Sequence, residues 1–429
     1  MPTLPATTVD YFLAGLESFM MRTGQGAHRA VTVLRLEGKP DPARLENAWR
    51  QLHADHPMLG ARLKRQWRGW RLVWETAGAV HAPAVLWHSP QETPPGDEVV
   101  HERLRGRCEG KGIDIPLAME VFPCREEHVI LLTWRHALLD GSGVNLLLEK
   151  LASPSDAGTP PTAEMKRREN LGVLFKRALP LMKRLHAMTR AGCLSAWGKG
   201  MPQAGAPAFR LIELTEDESQ TTTSRLREFC GEFLQMPFYA AIAARAVRLL
   251  HQRRGWHSPE IHLQVPFQPR GRSRDLVFGN HMGTLPLFLD AEGMETTPLA
   301  ISHVMEKYRQ AMRQDMPRAS DAMMTLAAHL PVKWFVLAVR LTNRGQICSL
   351  FHSHTGEFLS GCREFAGAAV RNVFTIPGVC TPPGLGLFFS ECRGRITATL
   401  SWRDGILSPA ESEKLCQQIR GDLTGQMVV

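Results

Sequence analysis

The sequence predicts a mixed α/β protein made of two lobes, and three observations carry that prediction. Strand-like and helix-like segments alternate along most of the chain. The composition breaks once, at the Gly- and Pro-rich stretch GKGMPQAGAP over 198–207. The length, 429 residues, exceeds what one core of roughly 150 residues accounts for.

In chain order, 30–36 (AVTVLRL) has the β-branched alternation of a strand, and 41–53 (DPARLENAWRQLH) opens with an Asp cap and a Pro before apolar residues at helical spacing. Short strands are expected at 61–63, 70–74, 118–122 and 128–134. A helix over 142–151 follows, with Val144, Leu147, Leu148 and Leu151 on one side. These make a first lobe, 1–160. The loop 153–161 opens into a basic segment in which Leu171, Leu174, Phe175, Ala178 and Leu179 recur at helical spacing. Pro180 is expected to kink or end that helix. With the Gly and Pro stretch, 161–207 forms a crossover and linker. The second lobe, 208–429, reads as a strand at 209–214, helices at 216–232 and 238–253, strands at 261–265, 284–289, 347–352, 386–391 and 396–402, and a closing helix over 409–423 entered through Ser408.

Composition removes several classes of function. With 44% hydrophobic and 22% charged residues the chain is not disordered. No apolar run reaches the ~18 to 20 residues of a spanning helix, and no repeat of ~20 to 50 residues is present. The amino terminus lacks the regions of a secretory signal, so the cytoplasm is the expected location. Nine cysteines without a CxxC pair argue against a zinc ribbon and for reduced thiols. Of the net charge of +9, most comes from 161–200, where nine Lys or Arg face only Glu164 and Glu169. Such a patch suits a phosphate-bearing ligand, an acidic carrier protein or an anionic membrane surface over 166–190. Without a binding motif beside it, nucleic acid is not expected.

The chemistry concentrates in 128–151, HVILLTWRHALLDGSGVNLLLEKL. Arg135, His136, Asp140 and Gly141 follow an apolar strand, where α/β folds build their sites. A neutral histidine there can act as general base, and Gly141 permits a sharp turn. The same spacing also fits a satisfied loop histidine and an Asp140 that merely caps the next helix.

The stretch RHALLDG over 135–141 resembles the HHxxxDG motif of the chloramphenicol acetyltransferase-like acyltransferases, which include condensation domains, wax ester synthases and alcohol acyltransferases. Three further stretches resemble the family in the same order: LENAWRQLHADHPMLGARL over 45–63, FGNHMGTLPL over 278–287 and SHTG over 353–356, a short turn after a strand. The resemblance implies two chloramphenicol acetyltransferase-like α/β sandwich lobes around a central tunnel. It implies that His136 deprotonates a hydroxyl or amine that attacks a thioester, with acyl-CoA or an acyl carrier protein as co-substrate and no bound cofactor. Asp140 is then structural and pairs with an arginine. Arg270 is preferred, with Arg272 and Arg62 as alternatives. Asn280 and Ser353 become tunnel or substrate residues.

Two departures stand out. The first histidine of the motif is Arg135, whose cation would depress the His136 pKa if it pointed inward, and Gly283 stands where condensation domains carry Asn. The second departure, with no carrier domain present, favours a stand-alone acyltransferase, and the first leaves a catalytically silent binding or scaffold protein as the alternative. Ser142 lacks a GxSxG frame, and no third ligand accompanies His136 and Asp140, so neither a serine hydrolase nor a metal site is expected.

Overall fold

The computed structural model describes residues 3–65, 72–76, 83–105, 116–125, 127–153, 169–191, 195–197, 205–232, 234–267, 278–331, 334, 337 and 347–426. Arg270, Arg272, much of the expected linker and the three basic residues at 166–168 lie outside them.

The first half supplies β1 (Thr3–Pro5), α1 (Thr8–Arg22), β2 (Arg29–Glu37), α2 (Pro42–Asp55), β3 (Arg62–Arg65), β4 (Leu72–Glu75), β5 (Leu86–Trp87), α3 (Asp97–Leu104), β6 (Leu117–Pro123), β7 (His128–Arg135) and α4 (Gly141–Ala152). Helix α5 (Leu171–Ala191) leads to β8 (Pro207–Glu213), α6 (Glu216–Cys230), α7 (Gln235–Arg253), β9 (Glu260–Phe267), β10 (Gly283–Asp290), α8 (Thr297–Arg313) and α9 (Met316–Ala327). The chain closes with β11 (Leu350–Glu357), β12 (Glu364–Phe365), β13 (Ala368–Pro377), β14 (Leu385–Cys392), β15 (Arg395–Arg403) and α10 (Pro409–Thr424).

Two six-stranded sheets form the lobes, in the orders β12-β13-β2-β7-β6-β5 and β10-β9-β11-β14-β15-β8, and β1-β4-β3 make a small third sheet. In β7, Ile130, Leu132 and Trp134 face α2 and α4, while Val129 and Leu131 join Val100 and Leu104 of α3 on the other face. Both faces are covered, which explains why HVILLTW is almost continuously apolar. Across the second sheet, Leu263, Leu287, Leu387 and Leu400 pack with α7, whose residues 237–247 are all buried.

The second half of the chain contributes to both sheets. β13 pairs antiparallel with β2 along Ala369–Pro377, so two strands from beyond residue 360 complete the first sheet. Polar contacts between the two sheets accompany this exchange. Thr399 Oγ1 donates to the Thr375 carbonyl (3.1 Å), and Arg35 on β2 pairs with Glu213 on β8 (2.8 Å).

Of the two outcomes expected at Pro180, an end to the helix is excluded, and the expectation for SHTG is corrected. Helix α5 runs through Pro180 to Ala191. A proline removes one main-chain bond, and packing of Leu174, Ala178, Leu181 and Met188 against α9 outweighs that loss. The SHTG stretch is also no turn after a strand. It lies within β11, where the register shifts between His354 and Glu357 and Gly356 takes a φ of +77°, the geometry of a β-bulge.

Candidate active site

Strand β7 ends at Arg135, and residues 136–140 form the loop into α4. The His136 amide donates to the His28 carbonyl (3.0 Å), extending the β2–β7 pairing by one step. That bond fixes the main chain of His136 before its side chain makes any contact. The imidazole stacks on His28, with ring centroids 4.8 Å apart, and meets the edge of Trp134 at 5.4 Å. Its Nδ1 is out of contact with solvent and has no hydrogen-bond partner among the described residues. Burial lowers the His136 pKa below the usual histidine value. Its own main-chain carbonyl, Asp140, Asn280 and Glu17 pull the other way. A ring so placed is neutral at neutral pH, the state a general base requires. Burial places His28 well below that value too, and the His136 ring adds to the effect.

The Arg135 guanidinium is engaged by Glu17 of α1. Its Nε donates to Glu17 Oε2 at 2.8 Å and an Nη lies 2.7 Å from the same oxygen. The conditional expectation of a cation beside His136 is therefore replaced by an ion pair to α1, and desolvation is the main cause of the lowered pKa.

Asp140 is 1% exposed. Its Oδ1 accepts from the Gly143 amide (2.8 Å), capping α4, and its Oδ2 accepts from the His281 amide (3.0 Å). Asp140 therefore caps α4 and at the same time ties the loop to the main chain at His281. The same segment approaches from the other side, where Gly279 donates to the Leu138 carbonyl (2.7 Å) and Leu139 bridges Gly279. Gly279 has a φ of +89°, which lets the chain turn back with the Asn280 side chain aimed at the loop.

Asn280 braces this loop. It is 1% exposed, and its Nδ2 lies 2.9 Å from Asp10 Oδ1 and 3.1 Å from each of the His136 and Ala137 carbonyls. Asp10 Oδ1 also receives the Asn280 amide (2.9 Å), and Oδ2 receives Trp74 Nε1 (3.1 Å) and the Thr7 amide (2.8 Å). Asp10 is buried, and desolvation raises its pKa against those donors. Neither Asp10 nor Glu17 was foreseen. The signal was present in TTVD, where Thr7 and Asp10 form a reciprocal capping box at the start of α1.

Gly141 is required for a different reason than a turn. Its φ is not positive, but an added Cβ would stand 2.8 Å from Thr355 Cγ2. β11 thus crosses the start of α4 at close range. Ser353, two residues before Thr355 and half-buried, shares that face of the strand. His352 and His354 turn the other way, with His354 stacked on Tyr239 at 4.4 Å. The structure therefore gathers His136, Asp140, Gly141 and Asn280 around one loop and brings the strand of Ser353 alongside.

No protein-family model and no curated protein matches the sequence. Solved structures do match over essentially the whole chain. The trichothecene 15-O-acetyltransferase from Fusarium sporotrichioides aligns with a TM-score of 0.75 at 12% identity, covering 99% of this chain and 96% of that one. The first condensation domain of the calcium-dependent antibiotic synthetase, solved with a substrate analogue, gives 0.68 at 16%, covering 100% and 99%. The epimerization domain from the third module of tyrocidine synthetase B gives 0.63 at 12%, covering 99% and 96%. At such identities the likeness is one of fold, and the fold is the one the sequence motifs implied.

Proposed function

We propose that this chain, with the fold of condensation domains and a buried neutral histidine at the end of β7, is a thioester-dependent acyltransferase acting on a hydroxyl or amine. The observation that carries the reading is the fixed placement of His136. Its Nδ1 is enclosed and its main chain is pinned by His28, while the Asn280 carboxamide holds its carbonyl. With the ring proton assigned to Nδ1, Nε2 is the nitrogen that takes the acceptor's proton. As the acceptor O–H or N–H proton passes to Nε2, the oxygen or nitrogen bonds to the thioester carbonyl carbon. Collapse of the tetrahedral adduct breaks the C–S bond, and the departing thiolate takes the proton back as free thiol. Donors are acyl-CoA or an acyl carrier protein.

Asp140 acts by position in this scheme. A carboxylate so deeply buried calls for a cation as well as main-chain donors, and we assign Arg270 to that place.

The experiment is thiol release from a panel of acyl-CoAs with alcohol or amine acceptors, comparing the wild type with His136→Ala. Release that vanishes in the variant supports the reading. Release no higher than the variant's, across the panel and with an acyl carrier protein as donor, favours the second reading, a catalytically silent binding protein. The histidine replaced by Arg135 is the observation behind that alternative.

A further inference from the structure

We infer that the outer side of α5, together with the exposed side chains of Leu330, Trp334 and Leu337 after α9, docks on an anionic lipid bilayer. Among the described residues, seven of the ten exposed large apolar side chains lie in these two places: Leu171, Val173, Phe175 and Met182 on α5, and Leu330, Trp334 and Leu337 beyond α9. Phe175 is 50% exposed and Trp334 54%. Scattered apolar residues on a surface need no explanation, but a concentration of this kind does.

The helix geometry separates three faces. Leu174, Ala178, Leu181 and Met188 point inward, packed with Ala319, Ala322 and Leu326 of α9. Leu171, Phe175, Leu179 and Met182, at steps of four, four and three, form a stripe along one flank. Arg177 and Arg184, on the opposite flank, are tied to Glu169 and Glu260. Lys176 and Lys183 stand exposed beyond the stripe and have no ion pair among the described residues. A helix with apolar side chains on one flank and lysines beside them lies in the headgroup layer of an anionic membrane.

The two parts of the surface adjoin. Leu174 near the start of α5 clusters with Leu326 at the end of α9, whereas Met188 near the end of α5 clusters with Met316, so the helices are antiparallel. The chain leaving α9 toward Leu330 therefore emerges at the end of the helix pair where α5 begins with Leu171. The patch also adjoins the candidate site, because the Tyr11 hydroxyl of α1 donates to the Leu330 carbonyl, and α1 carries Asp10 and Glu17. An acidic carrier protein fits less well: two of the arginines are already neutralised, and the exposed flank is apolar.

The test is cosedimentation of the full chain with vesicles of phosphatidylcholine, with and without phosphatidylglycerol, over a salt series. The wild type is expected to pellet with the anionic vesicles and to release as salt rises. Lys176→Gln with Lys183→Gln should weaken binding roughly 20- to 30-fold at low salt. Leu171→Ser with Phe175→Ser and Met182→Ser should weaken it at least tenfold or so at every salt concentration. These side chains are exposed, so melting curves of both variants should match the wild type. Wild-type protein that stays in the supernatant, variants that bind as it does, or binding to an acyl carrier protein instead of vesicles each overturns the inference. Vesicle binding needs no turnover, and thiol release from soluble acyl-CoA needs no vesicle, so this inference and the proposed reaction fail separately.

Discussion

Removing the Asn280 carboxamide is expected to loosen the loop that presents His136. In Asn280→Ala, the His136 and Ala137 carbonyls each lose a donor at 3.1 Å, while Asp10 Oδ1 loses one donor at 2.9 Å and keeps the main-chain amide of residue 280. Leaving a buried acceptor unpaired costs ~1 to 3 kcal/mol. The two unpaired carbonyls share one cavity and do not add fully, so the expected destabilisation is about 3 kcal/mol. For 429 residues at ~2.1 cal/mol/K each, the unfolding entropy is about 0.9 kcal/mol/K and the Tm should fall by about 3 °C. Activity should suffer more than stability, because a base displaced by ~1 Å loses up to about 100-fold in rate. Calorimetry and steady-state thiol release measure the two effects. An unchanged Tm, or a raised KM with kcat intact, would refute the bracing role, since the bonds lost hold the loop that carries His136.

Asp140→Asn should lower stability by ~1 to 3 kcal/mol in urea titrations, because an amide cannot accept from both the Gly143 and His281 amides, whereas His136→Ala should leave the titration nearly unchanged. Gly141→Ala should cost ~1 to 3 kcal/mol by overpacking against Thr355. Adding Thr355→Ser, which removes the clashing methyl, should restore most of that in the same titration. Acid should weaken the fold early. Burial lowers His56, His251 and His352 to about 4 and His262 and His354 to about 3, while the unfolded chain takes up these protons near pH ~6.5. Depressed bases contribute stability that is full above pH ~6.5 and is lost as pH falls toward their folded values, at up to ~1.4 kcal/mol per pH unit for each histidine. Urea midpoints that do not fall between about pH 7 and about pH 5 would contradict this.

The elements legible in the sequence were those whose pattern is local. Strand 128–134 and the helix after Asp140 show in their apolar spacing, and the motif residues His136, Asp140 and Asn280 do meet at one loop. What escaped depends on partners remote in sequence. The Asp10 to Asn280 bond joins residues 270 apart, and neither side chain announces the other. The direction of the Arg135 side chain was left open because its partner Glu17 lies on a helix marked by little more than a capping box. The reason Gly141 is glycine sits on β11, where Thr355 approaches it, and no turn signal could show that.

The strand exchange between the halves has a consequence in time. Once β2 and β7 have paired, one edge of β2 stays open until β13 leaves the ribosome, about 230 residues later, or roughly 10 to 50 s at ordinary rates of synthesis. During that interval Val31, Val33, Leu34 and Leu36 border an unpaired edge, the kind that joins to other chains. A nascent chain stalled anywhere between β7 and β13 would carry an unfinished sheet. Aggregation in cells should therefore track translation pauses in that interval, and a truncation at the linker should yield an insoluble first lobe.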